Sequence, residues 1–530
     1  MLNNVHEWLS KVVEDNKKRT FFVRERETYA DLMAAVKKRA VTLREKLKVK
    51  KGDVVALLAS NTPHFIKSYF AILSQGAQVL MLDTGLTKDE HKSMMERTNC
   101  KLALANPQYF VENAGAKMVD IETIEDGDAK KFAAADMSRD DIAQLSFTSG
   151  STGNPKIVAL THNNLLSLAE NVDIYTDMFE PGYIIYGFLP LYHIYAVVVN
   201  IIAPLQMKCQ VLLQPVLDPK KFLADFQEYK PNVFPAVPRV LEGFYKKIMD
   251  GVKEKKKTFL FNFVLANQKI LKAIGLGGLV RKVQKPIHDI FGGEMKVLIS
   301  AGATLKPHIR KFYERLGFVL GDCYGLTETT GPSNFNLKLT MPDGTIRHAG
   351  PVPGNEIEIR HKDKNGVGDI WVKGPLVMKG YLNNPEANAE SFDKDGWFRT
   401  GDVGVIDKLG ILTIKGRKKQ LIVLDSGKNV YPDELEALFL QNDEILAAAV
   451  VERRIRDKIV PFAVFQVKEG TTIDRVKVLV KLSNLRIAPY KWVNHFAITE
   501  DELPMTSAKK VKHYVISKML DEGKFPNRSN

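Results

Sequence analysis

Short, continuous apolar runs alternate with amphipathic segments through the first three fifths of the chain. The runs are "DVVALLAS" from Asp53, "AQVLML" from Ala77, "KLALA" from Lys101, "QVLLQPV" from Gln210 and "MKVLIS" from Met295. Amphipathic segments that read as helices follow these runs, for example from Thr62 to about Gln75, from Pro219 and from Lys306. A strand that is apolar along its whole length is buried on both faces, as in parallel sheets covered by helices. We therefore predict a large α/β body.

The pattern changes after Gly331 to short strands bounded by glycines. They are "NEIEIR", "GDIWVKG", "GWFRTGDVGVID" and "GILTIKG", whose spacing predicts a small, mainly antiparallel, β-barrel-like unit. From Gln420 onward, about 110 residues restart with strand, helix and strand, which predicts a smaller α+β domain joined at the "GRKKQ" segment. A chain of 530 residues exceeds what one hydrophobic core supports, so several domains are expected.

The chain is basic, with a formal net charge of +14. This charge favours anionic partners such as nucleotides, polyphosphate or an acidic membrane surface, and does not choose among them. Three widely spaced cysteines, Cys100, Cys209 and Cys323, form no CxxC pair, which argues against a disulfide framework or a zinc site. A reducing compartment is the natural interpretation.

No segment reads as a signal peptide or a membrane span. The first twenty residues mix acids and bases through a short amphipathic helix, without the apolar centre of a signal peptide. The longest apolar stretch, "IYAVVVNIIAPL" from Ile194, is shorter than the roughly 20 residues that span a bilayer and is predicted to be a buried helix. We expect a cytoplasmic protein.

The stretch "LSFTSGSTGNPKIVALTH", residues 145–162, resembles a phosphate-binding loop without being a Walker loop. In the Walker pattern a glycine directly precedes the lysine and a hydroxyl follows it; here Gly153 lies three residues before Lys156. Hydroxyls and backbone N–H groups can still surround a polyphosphate, and glycines permit close approach. The candidate residues are Thr148, Ser149, Gly150, Ser151, Thr152, Gly153 and Lys156. The alternative is a structural turn rich in Gly, Ser and Thr.

Seven ordered motifs together resemble those of the adenylate-forming superfamily, which includes acyl- and aryl-CoA synthetases, luciferases and nonribosomal adenylation domains. They are "FTSGSTGNPK" at 147, "LPLYHIYA" at 189, "ISAGATL" at 299, "DCYGLTETTG" at 322, "GWFRTGDVG" at 396, "IKGRKKQLIVLDSGKNVYPDELE" at 414 and "LPMTSAKKVK" at 503. The resemblance covers nearly the whole chain. It implies an N-terminal adenylation body at 1–416, a hinge at 417–420 and a mobile C-terminal domain at 421–530.

The resemblance also implies a reaction. In such enzymes a carboxylate attacks the α-phosphate of ATP, giving an acyl-adenylate and pyrophosphate, and the acyl group then passes to CoA. Two anions must meet, so the site must neutralise both. Lys510 matches the family lysine that bridges the carboxylate and the α-phosphate; the alternative is a solvated basic tail. The family usually has glycine just before this lysine, where this chain has Lys509.

The motif "DCYGLTETTG" carries the implied magnesium and adenine contacts. Glu328 matches the Mg²⁺-associated glutamate, Thr327 reaches the α-phosphate, and Tyr324 stacks near the adenine, with Gly325 beside it. An acid next to a triphosphate calls for a divalent cation between them, and Mg²⁺ suits oxygen ligands. Further implied contacts are Thr148 for Mg²⁺ and Gly302, Ala303 and Asp322 for the adenine. The alternative for Glu328 is a glutamate in the first turn of a helix, which the helix dipole favours. The alternative for Gly302 and Ala303 is a tight turn.

The remaining implied contacts lie in four other motifs. Asp402 matches the residue that accepts from both ribose hydroxyls, and Arg417 the arginine near the ribose and phosphates. Lys419 falls where the C-terminal domain rotates between adenylation and thioester formation. His193 lines the acyl entrance as a positioning residue, and Gly427 lets the pantetheine arm approach the backbone. The alternative for Asp402 is an exposed turn aspartate. For Arg417 and Lys419 it is a plain run of charges, and for His193 a packed histidine.

The expected substrate is a medium- to long-chain fatty acid. The segments "LPLYHIYAVVV" and "NVFPAVPRVLEGF" contain no acid where amino-acid-activating relatives hold an ammonium group. The basic helical insertion between Phe244 and Phe291 resembles that of long-chain fatty acyl-CoA synthetases. Transfer to a carrier protein, an aryl acid substrate and a non-catalytic relative remain alternatives.

The predicted partners are fatty acid, ATP and CoA, with no nucleic acid and with a homodimer as a further expectation. The lysine cluster Lys253, Lys255, Lys256 and Lys257 beside "FLFNFVL" suggests peripheral contact with an anionic membrane. Solvated helix ends are the alternative interpretation of these lysines.

Overall fold

The apolar runs form strands of two large sheets, as predicted, in a computed structural model of the protein. The structure describes residues 2–124, 126–148, 155–172, 179–215, 218–302, 305–336, 338–340, 346–348, 350–408, 410–426, 428–505 and 511–525. The chain divides into two units. In their described parts, the first contains Met1–Thr148, Ile157–Glu356 and Lys373–Asn388, and the second Ser149–Lys156, Ile357–Val372 and Ala389–Asn530. The boundary at 416 and the hinge at 417–420 stay predictions.

The first sheet of the first unit has the strand order β14-β13-β12-β11-β9-β10-β1-β2 among the described residues. Its strands are β1 (Thr20–Phe22), β2 (Glu27–Thr28), β9 (Ile184–Gly187), β10 (Gln210–Leu213), β11 (Val233–Ala236), β12 (Val297–Ala301), β13 (Val319–Leu326) and β14 (Gly331–Asn336). Pairing is parallel from β1 to β13, and the edge strands β2 and β14 pair antiparallel.

The second sheet has the order β19-β8-β7-β4-β3-β5-β6. Its strands are β3 (Val54–Leu58), β4 (Gln78–Met81), β5 (Leu102–Ala105), β6 (Lys117–Asp120), β7 (Ile142–Phe147), β8 (Ile157–Thr161) and β19 (Gly380–Tyr381). The pairs from β6 through β5, β3 and β4 to β7 are parallel, whereas β7–β8 and β8–β19 are antiparallel. Every residue of β3 is buried, which confirms the predicted α/β body with parallel sheets.

Helices cover these sheets. They are α1 (Val5–Glu14), α2 (Tyr29–Glu45), α3 (Pro63–Ser74), α4 (Lys88–Arg97), α5 (His162–Val172), α6 (Ile194–Val197), α7 (Ala203–Gln206), α8 (Pro219–Tyr229), α9 (Pro238–Glu254), α10 (Thr258–Ala266), α11 (Gln268–Ala273), α12 (Gly277–Ile290), α13 (Pro307–Leu316) and α14 (Pro385–Ser391). The apolar stretch from Ile194 is a buried helix as predicted, but a π-helical segment, Val198–Ile202, joins α6 to α7. Such segments are rare and often mark functional sites. No helix in the described ranges is long and apolar enough to cross a membrane.

The second unit contains a four-stranded sheet of order β17-β18-β20-β21. Its strands are β17 (Glu356–Arg360), β18 (Gly368–Lys373), β20 (Phe398–Ile406) and β21 (Leu412–Arg417). The pairs β18–β20 and β20–β21 are antiparallel, as expected of the small β unit. Two short hairpins are also present in the described chain, β15 (Lys338–Thr340) with β16 (Ile346–His348) and β22 (Ile422–Val423) with β23 (Asn429–Val430).

The rest of the second unit is an α+β fold around β24 (Ile445–Ile455), β25 (Lys458–Val467) and β26 (His495–Thr499). Alternate residues of β24 enter two separate cores, Ala448 and Val450 in one, Ala447 and Val451 in the other. Helices α15 (Pro432–Phe439) and α16 (Ile473–Asn484) cover the first core, and α17 (His513–Asp521) covers the second. The period of two along a strand explains this division.

Candidate active site

Glu328 is held by a tyrosine from a distant strand. It lies in a 3₁₀ turn, Thr327–Thr329, that directly follows β13. The Tyr381 hydroxyl donates to Glu328 Oε1 at 2.9 Å, and the backbone N–H of Met378 donates to the Glu328 carbonyl at 2.8 Å. Pairing of β19 with β8, in which Tyr381 faces Val158, positions the tyrosine. Nothing close to Glu328 in the sequence points to Tyr381.

The turn itself is fixed by side-chain hydrogen bonds. Leu326 N–H donates to Thr329 Oγ1 at 2.9 Å, and the Thr330 hydroxyl donates to the Leu376 carbonyl at 2.6 Å. Thr330 has the left-handed backbone angle φ of 54°, which costs energy for a β-branched residue and persists only where surrounding contacts impose it. The backbone therefore presents Thr327 and Glu328 in one preset orientation.

Gly325 is required by the close approach of β13 and β14. A Cβ on Gly325 would overlap the carbonyl oxygen of Gly331 on the neighbouring strand. The register of the two strands shifts between Tyr324 and Gly325, so a bulge lies next to the predicted adenine-stacking tyrosine. Ser333 donates to the Tyr324 carbonyl at 3.3 Å.

Asp322 forms an ion pair that the sequence did not reveal. Its Oδ2 lies 2.9 Å from Arg310 Nη2, and Arg310 is on α13. Burial raises the pKa of Asp322 above its ordinary value, although Arg310 opposes the shift. Asp322 lies opposite Ser300 in the parallel pair β12–β13, and Gly302, with φ of 84°, follows the end of β12. Carboxyl ends of parallel strands are where ligands bind in open α/β sheets.

His193 is the residue that precedes α6, and its Nε2 atom is buried without a hydrogen-bond partner among the described residues. Burial lowers the pKa of His193, so the ring is neutral at neutral pH. Asn61 anchors the preceding loop: its amide donates to the Leu189 carbonyl at 2.8 Å and its oxygen accepts from Leu191 N–H at 3.0 Å. An orphaned buried ring nitrogen is the kind of atom that a bound ligand satisfies.

An apolar cavity lies along the helix that begins after His193. The empty space there has a volume of about 530 Å³, which includes the gaps between side chains and the opening to solvent. The lining includes Val172, Phe179, Ile185, Val198, Val199, Val233, Ile299, Pro332 and Val352, with Asn171 as the polar side chain among the described lining residues. None of the described lining residues is charged. Two of them, Val198 and Val199, belong to the π-helical segment.

In the second unit, Asp402 and Arg417 face each other across β20 and β21. Arg417 Nε lies 2.8 Å from Asp402 Oδ1, and the Asp402 side chain is 6% exposed. Arg417 Nη1 also donates to the Thr400 carbonyl at 3.2 Å. The two residues, predicted separately, are therefore one ion pair.

Lys419 lies in the short 3₁₀ turn Lys418–Gln420. Its neighbour Lys418 pairs with Asp369 at 2.6 Å, and Arg399 lies 3.2 Å from the same carboxylate. Burial alone would raise the pKa of Asp369, but the hydrogen bond from Lys418 and the surrounding cations lower it below the ordinary value. Asp369 was not among the residues predicted from the sequence.

Several predicted residues lie outside the described part of the chain. These are Ser149, Gly150, Ser151, Thr152, Gly153, Ala303, Gly427 and Lys510. The described residues of the first loop are Thr148, which follows Phe147, and Pro155 and Lys156, which precede Ile157. Phe147 and Ile157 are an antiparallel pair of β7 and β8. Within the described ranges no group of three or more His, Cys, Asp or Glu residues could hold a metal ion. A Mg²⁺ ion bound with substrate phosphates needs only one or two carboxylates, and Glu328 suits that role.

The chain is similar to known proteins along most of its length. The family model described as AMP-binding enzyme matches residues 9–382. A long-chain-fatty-acid–CoA ligase, FadD15 of Mycobacterium bovis, is 29% identical over 443 residues, covering 76% of this chain and 72% of the relative. The 4-coumarate–CoA ligase 1 of Arabidopsis thaliana is 28% identical over 518 residues, covering 91% and 86%.

A solved structure shares the fold along almost the whole chain. ATP-bound MatB from Rhodopseudomonas palustris superposes with a TM-score of 0.78 at 24% identity, covering 98% of this chain and 99% of that one. Its large N-terminal and smaller C-terminal parts are those of the adenylate-forming fold. The chain therefore belongs to the AMP-binding enzyme family.

Proposed function

We propose that the protein is an AMP-forming acid–CoA ligase that uses ATP with Mg²⁺ and CoA, and that its acid is a medium- to long-chain fatty acid. The cavity beside the π-helical segment, whose described lining residues carry no charge, supports this proposal. An apolar tail gains from leaving water for such a space, whereas a charged tail would lose hydration without a partner. The named relatives activate both fatty and aryl acids, so an aryl acid is the second candidate.

The proposed first step joins two anions. A carboxylate oxygen of the acid attacks the α-phosphorus of ATP, the bond from that phosphorus to the bridging oxygen breaks, and pyrophosphate leaves. Lys510 is proposed to contact both the carboxylate and the α-phosphate, and Thr148 and Lys156 the outer phosphates. Bound Mg²⁺ supplies charge neutralisation at the phosphates, with Glu328 as its protein contact.

His193 is proposed to orient the substrate carboxylate. The ring is neutral, and its buried Nε2 has no hydrogen-bond partner among the described residues. It can therefore exchange a hydrogen bond with an incoming ligand without placing a further charge in the site. Asp322, Gly302, Tyr324 and Gly325 are proposed for the adenine.

In the second unit, the ion pair of Asp402 and Arg417 is proposed for the ribose. The second step is attack of the CoA thiol on the acyl carbon, with loss of the thiol proton and release of AMP. Gly427 and Lys419 are proposed for this step.

A panel of acids tests the substrate class. With CoA, ATP and Mg²⁺ present, we expect pyrophosphate release with medium- to long-chain fatty acids to exceed release with acetate, benzoate and 4-coumarate. Val199→Phe, which fills part of the cavity, should shift the preference toward shorter acids. Val478→Phe, the same exchange on the exposed face of α16, is the matched control. Preference for 4-coumarate would reject the fatty-acid assignment.

The acceptor and the catalytic competence need separate tests. We expect acylation of CoA rather than of a holo carrier protein when both are offered with palmitate. Loss of pyrophosphate release in Lys510→Ala would argue against a non-catalytic relative, whereas absence of acid-dependent release from the unaltered protein would favour one. A cytoplasmic location and a homodimer stay predictions.

A further inference from the structure

The helical insertion α9–α12 exposes a cluster of large apolar side chains. Phe259, Leu260 and Phe263 on α10, Ile270 on α11, and Ile274 and Leu276 in the connection to α12 are exposed. Phe259 is 86% exposed, Ile274 63% and Ile270 61%. We name these six residues the apolar tip. Phe259 and Phe263 stack with their ring centroids 6.4 Å apart, and so many exposed large apolar side chains in one short segment mark an interaction site.

The apolar tip is not a displaced core. Val264, Leu271 and Val280, one from each of α10, α11 and α12, already form a small buried cluster. The opposite face of α10 packs inward: Phe261 is buried, and its ring lies 6.3 Å from the ring of Phe312 on α13. Helix α10 is therefore apolar on two faces, and only one of them is needed to fold the insertion.

The surroundings of the apolar tip are strongly basic. Residues 246–285 contain eleven Lys and Arg against two Asp and Glu, a net charge of +9 out of +14 for the whole chain. Lys255, Lys256 and Lys257, which directly precede α10, form no ion pair with any residue in the described ranges. These three ammonium groups are therefore available to an external anion, whereas Lys253 and Lys285 pair with Asp250 and Asp289.

We propose that the apolar tip and its lysines dock the protein on the surface of an anionic lipid bilayer. Phenylalanine and isoleucine side chains enter the boundary between headgroups and acyl chains, and lysines keep their ammonium groups at the phosphates. Charge complementarity selects this occupant, because an apolar partner protein would have to bury Lys255, Lys256 and Lys257 without a counter-charge. The proposal concerns binding and does not depend on which acid is activated.

Co-sedimentation of the full chain with vesicles tests the proposal. We expect binding to phosphatidylcholine vesicles that contain about one third phosphatidylglycerol, weak binding to pure phosphatidylcholine, and loss of binding in high salt. Phe259→Gln with Ile274→Gln should weaken the partition coefficient at least about tenfold. Lys255→Gln with Lys257→Gln should do the same, since each lysine near an anionic surface contributes about fivefold.

Two double variants in the second unit are matched controls. Leu482→Gln with Leu485→Gln alters two exposed apolar residues at the C-terminal end of α16. Lys362→Gln with Lys364→Gln alters two exposed lysines. Both variants should bind vesicles as the unaltered protein does. Pyrophosphate release with a water-soluble acid should be unchanged in the apolar-tip variants.

Three results would overturn the proposal. The first is that the unaltered protein does not bind anionic vesicles. The second is that both test variants bind them as well as the unaltered protein does. The third is that vesicle binding is absent and the protein self-associates with increasing concentration, an association that Phe259→Gln with Ile274→Gln abolishes. The last result would assign the apolar tip to an interface between copies of the chain. These vesicle-binding results do not depend on the proposed function, because they would be the same for an inactive protein or for an enzyme that activates an aryl acid.

Discussion

Glu328 shows how a single hydrogen bond couples a site residue to a distant strand. Its donor, Tyr381, is 53 positions further along the chain and is itself almost fully buried. A carboxylate that accepts from a fixed hydroxyl loses rotational freedom, so its other oxygen points in a defined direction. Tyr381 is thus a positioning residue, one step removed from the proposed cation.

Removal of that hydroxyl should weaken the dependence of the reaction on Mg²⁺. Tyr381→Phe keeps the ring and deletes the donor; a hydrogen bond to a charged group contributes about 1.5–3 kcal/mol, so kcat/KM should fall by about tenfold or more. We also expect a higher Mg²⁺ concentration for half-maximal pyrophosphate release, measured by Mg²⁺ titration.

Tyr313→Phe is the control for this experiment. The Tyr313 hydroxyl is also buried, but it donates to the Leu241 carbonyl at 2.7 Å. This variant should lower the melting temperature and leave the Mg²⁺ titration unchanged. An unchanged titration in Tyr381→Phe would reduce the tyrosine to a packing role.

At the scale of elements, the β13–β14 pair joins three predicted ligand contacts. Asp322, Tyr324 and Gly325 all lie on β13, which pairs with parallel β12 on one side and antiparallel β14 on the other. The close backbone approach at Gly325 sets the position of the turn that carries Glu328. Any widening here moves the adenine and magnesium contacts together.

Gly325→Ala should separate β13 from β14. The added methyl group would overlap the Gly331 carbonyl, and such overpacking typically costs about 1–3 kcal/mol. We expect a lower melting temperature together with a loss of pyrophosphate release that exceeds the effect on stability, measured below the melting transition.

Gly278→Ala provides the comparison, because a Cβ there meets no atom of the described residues within 4 Å. At this position in α12 alanine should be neutral or stabilising by about 0.5–1 kcal/mol, with full activity. Equal behaviour of the two variants would contradict the packing explanation.

On the scale of the whole molecule, the two units contain histidines with opposite pH responses. In the first unit, burial lowers the pKa of His6 and of His162 to about 4. In the second, burial opposes protonation of His513, but the Glu436 carboxylate at 2.6 Å raises its pKa above the ordinary value. Protonation therefore has opposite consequences for the stability of the two units.

The first unit should lose stability in mild acid. The unfolded chain takes up protons near pH 6.5, whereas folded His6 and His162 do so only near 4. Stability is thus fully present above about pH 6.5 and falls through the interval down to about 4, by up to about 3 kcal/mol for each histidine. Denaturant unfolding across this interval measures the slope.

His162→Asn isolates one contribution. The asparagine oxygen can accept from the Val5 N–H as His162 Nδ1 does at 3.3 Å, but it does not titrate. The variant should show a shallower decline of stability with falling pH. A slope equal to that of the unaltered protein would rule out His162 as a contributor.

The second unit should behave in the opposite way. The contribution of His513 is fully present below about pH 6.5 and is lost as pH rises through its raised pKa. Hydrogen exchange, corrected for the intrinsic rate, should show better protection of α15 and α17 in mild acid than at alkaline pH, and Glu436→Gln should remove the difference. Protection that is independent of pH would contradict this assignment.

Local patterns account for much of this protein. Fully apolar runs predicted β3, β4, β5, β10 and β12, because a strand covered on both faces has no solvent side to mark with polar residues. The length of the apolar stretch from Ile194 predicted a buried helix, but not its π-helical segment, since the backbone shift depends on packing rather than on composition. The ordered motifs indicated the AMP-binding family, because the chemistry of a nucleotide site restricts residue types at fixed spacing.

Tertiary structure decided which distant groups meet. The partners Tyr381 of Glu328 and Arg310 of Asp322 have no signal in the neighbouring sequence, because strand register and helix docking bring them together only in the folded chain. The same holds for the apolar tip: α10 is apolar on both faces, and its packing against α11, α12 and α13 determines which phenylalanines remain in water. Sequence alone determined the classes of element and the family, since these depend on local periodicity and motif chemistry. The contacts that orient the site, and the surface proposed to meet a membrane, depend on pairings between residues far apart in the chain.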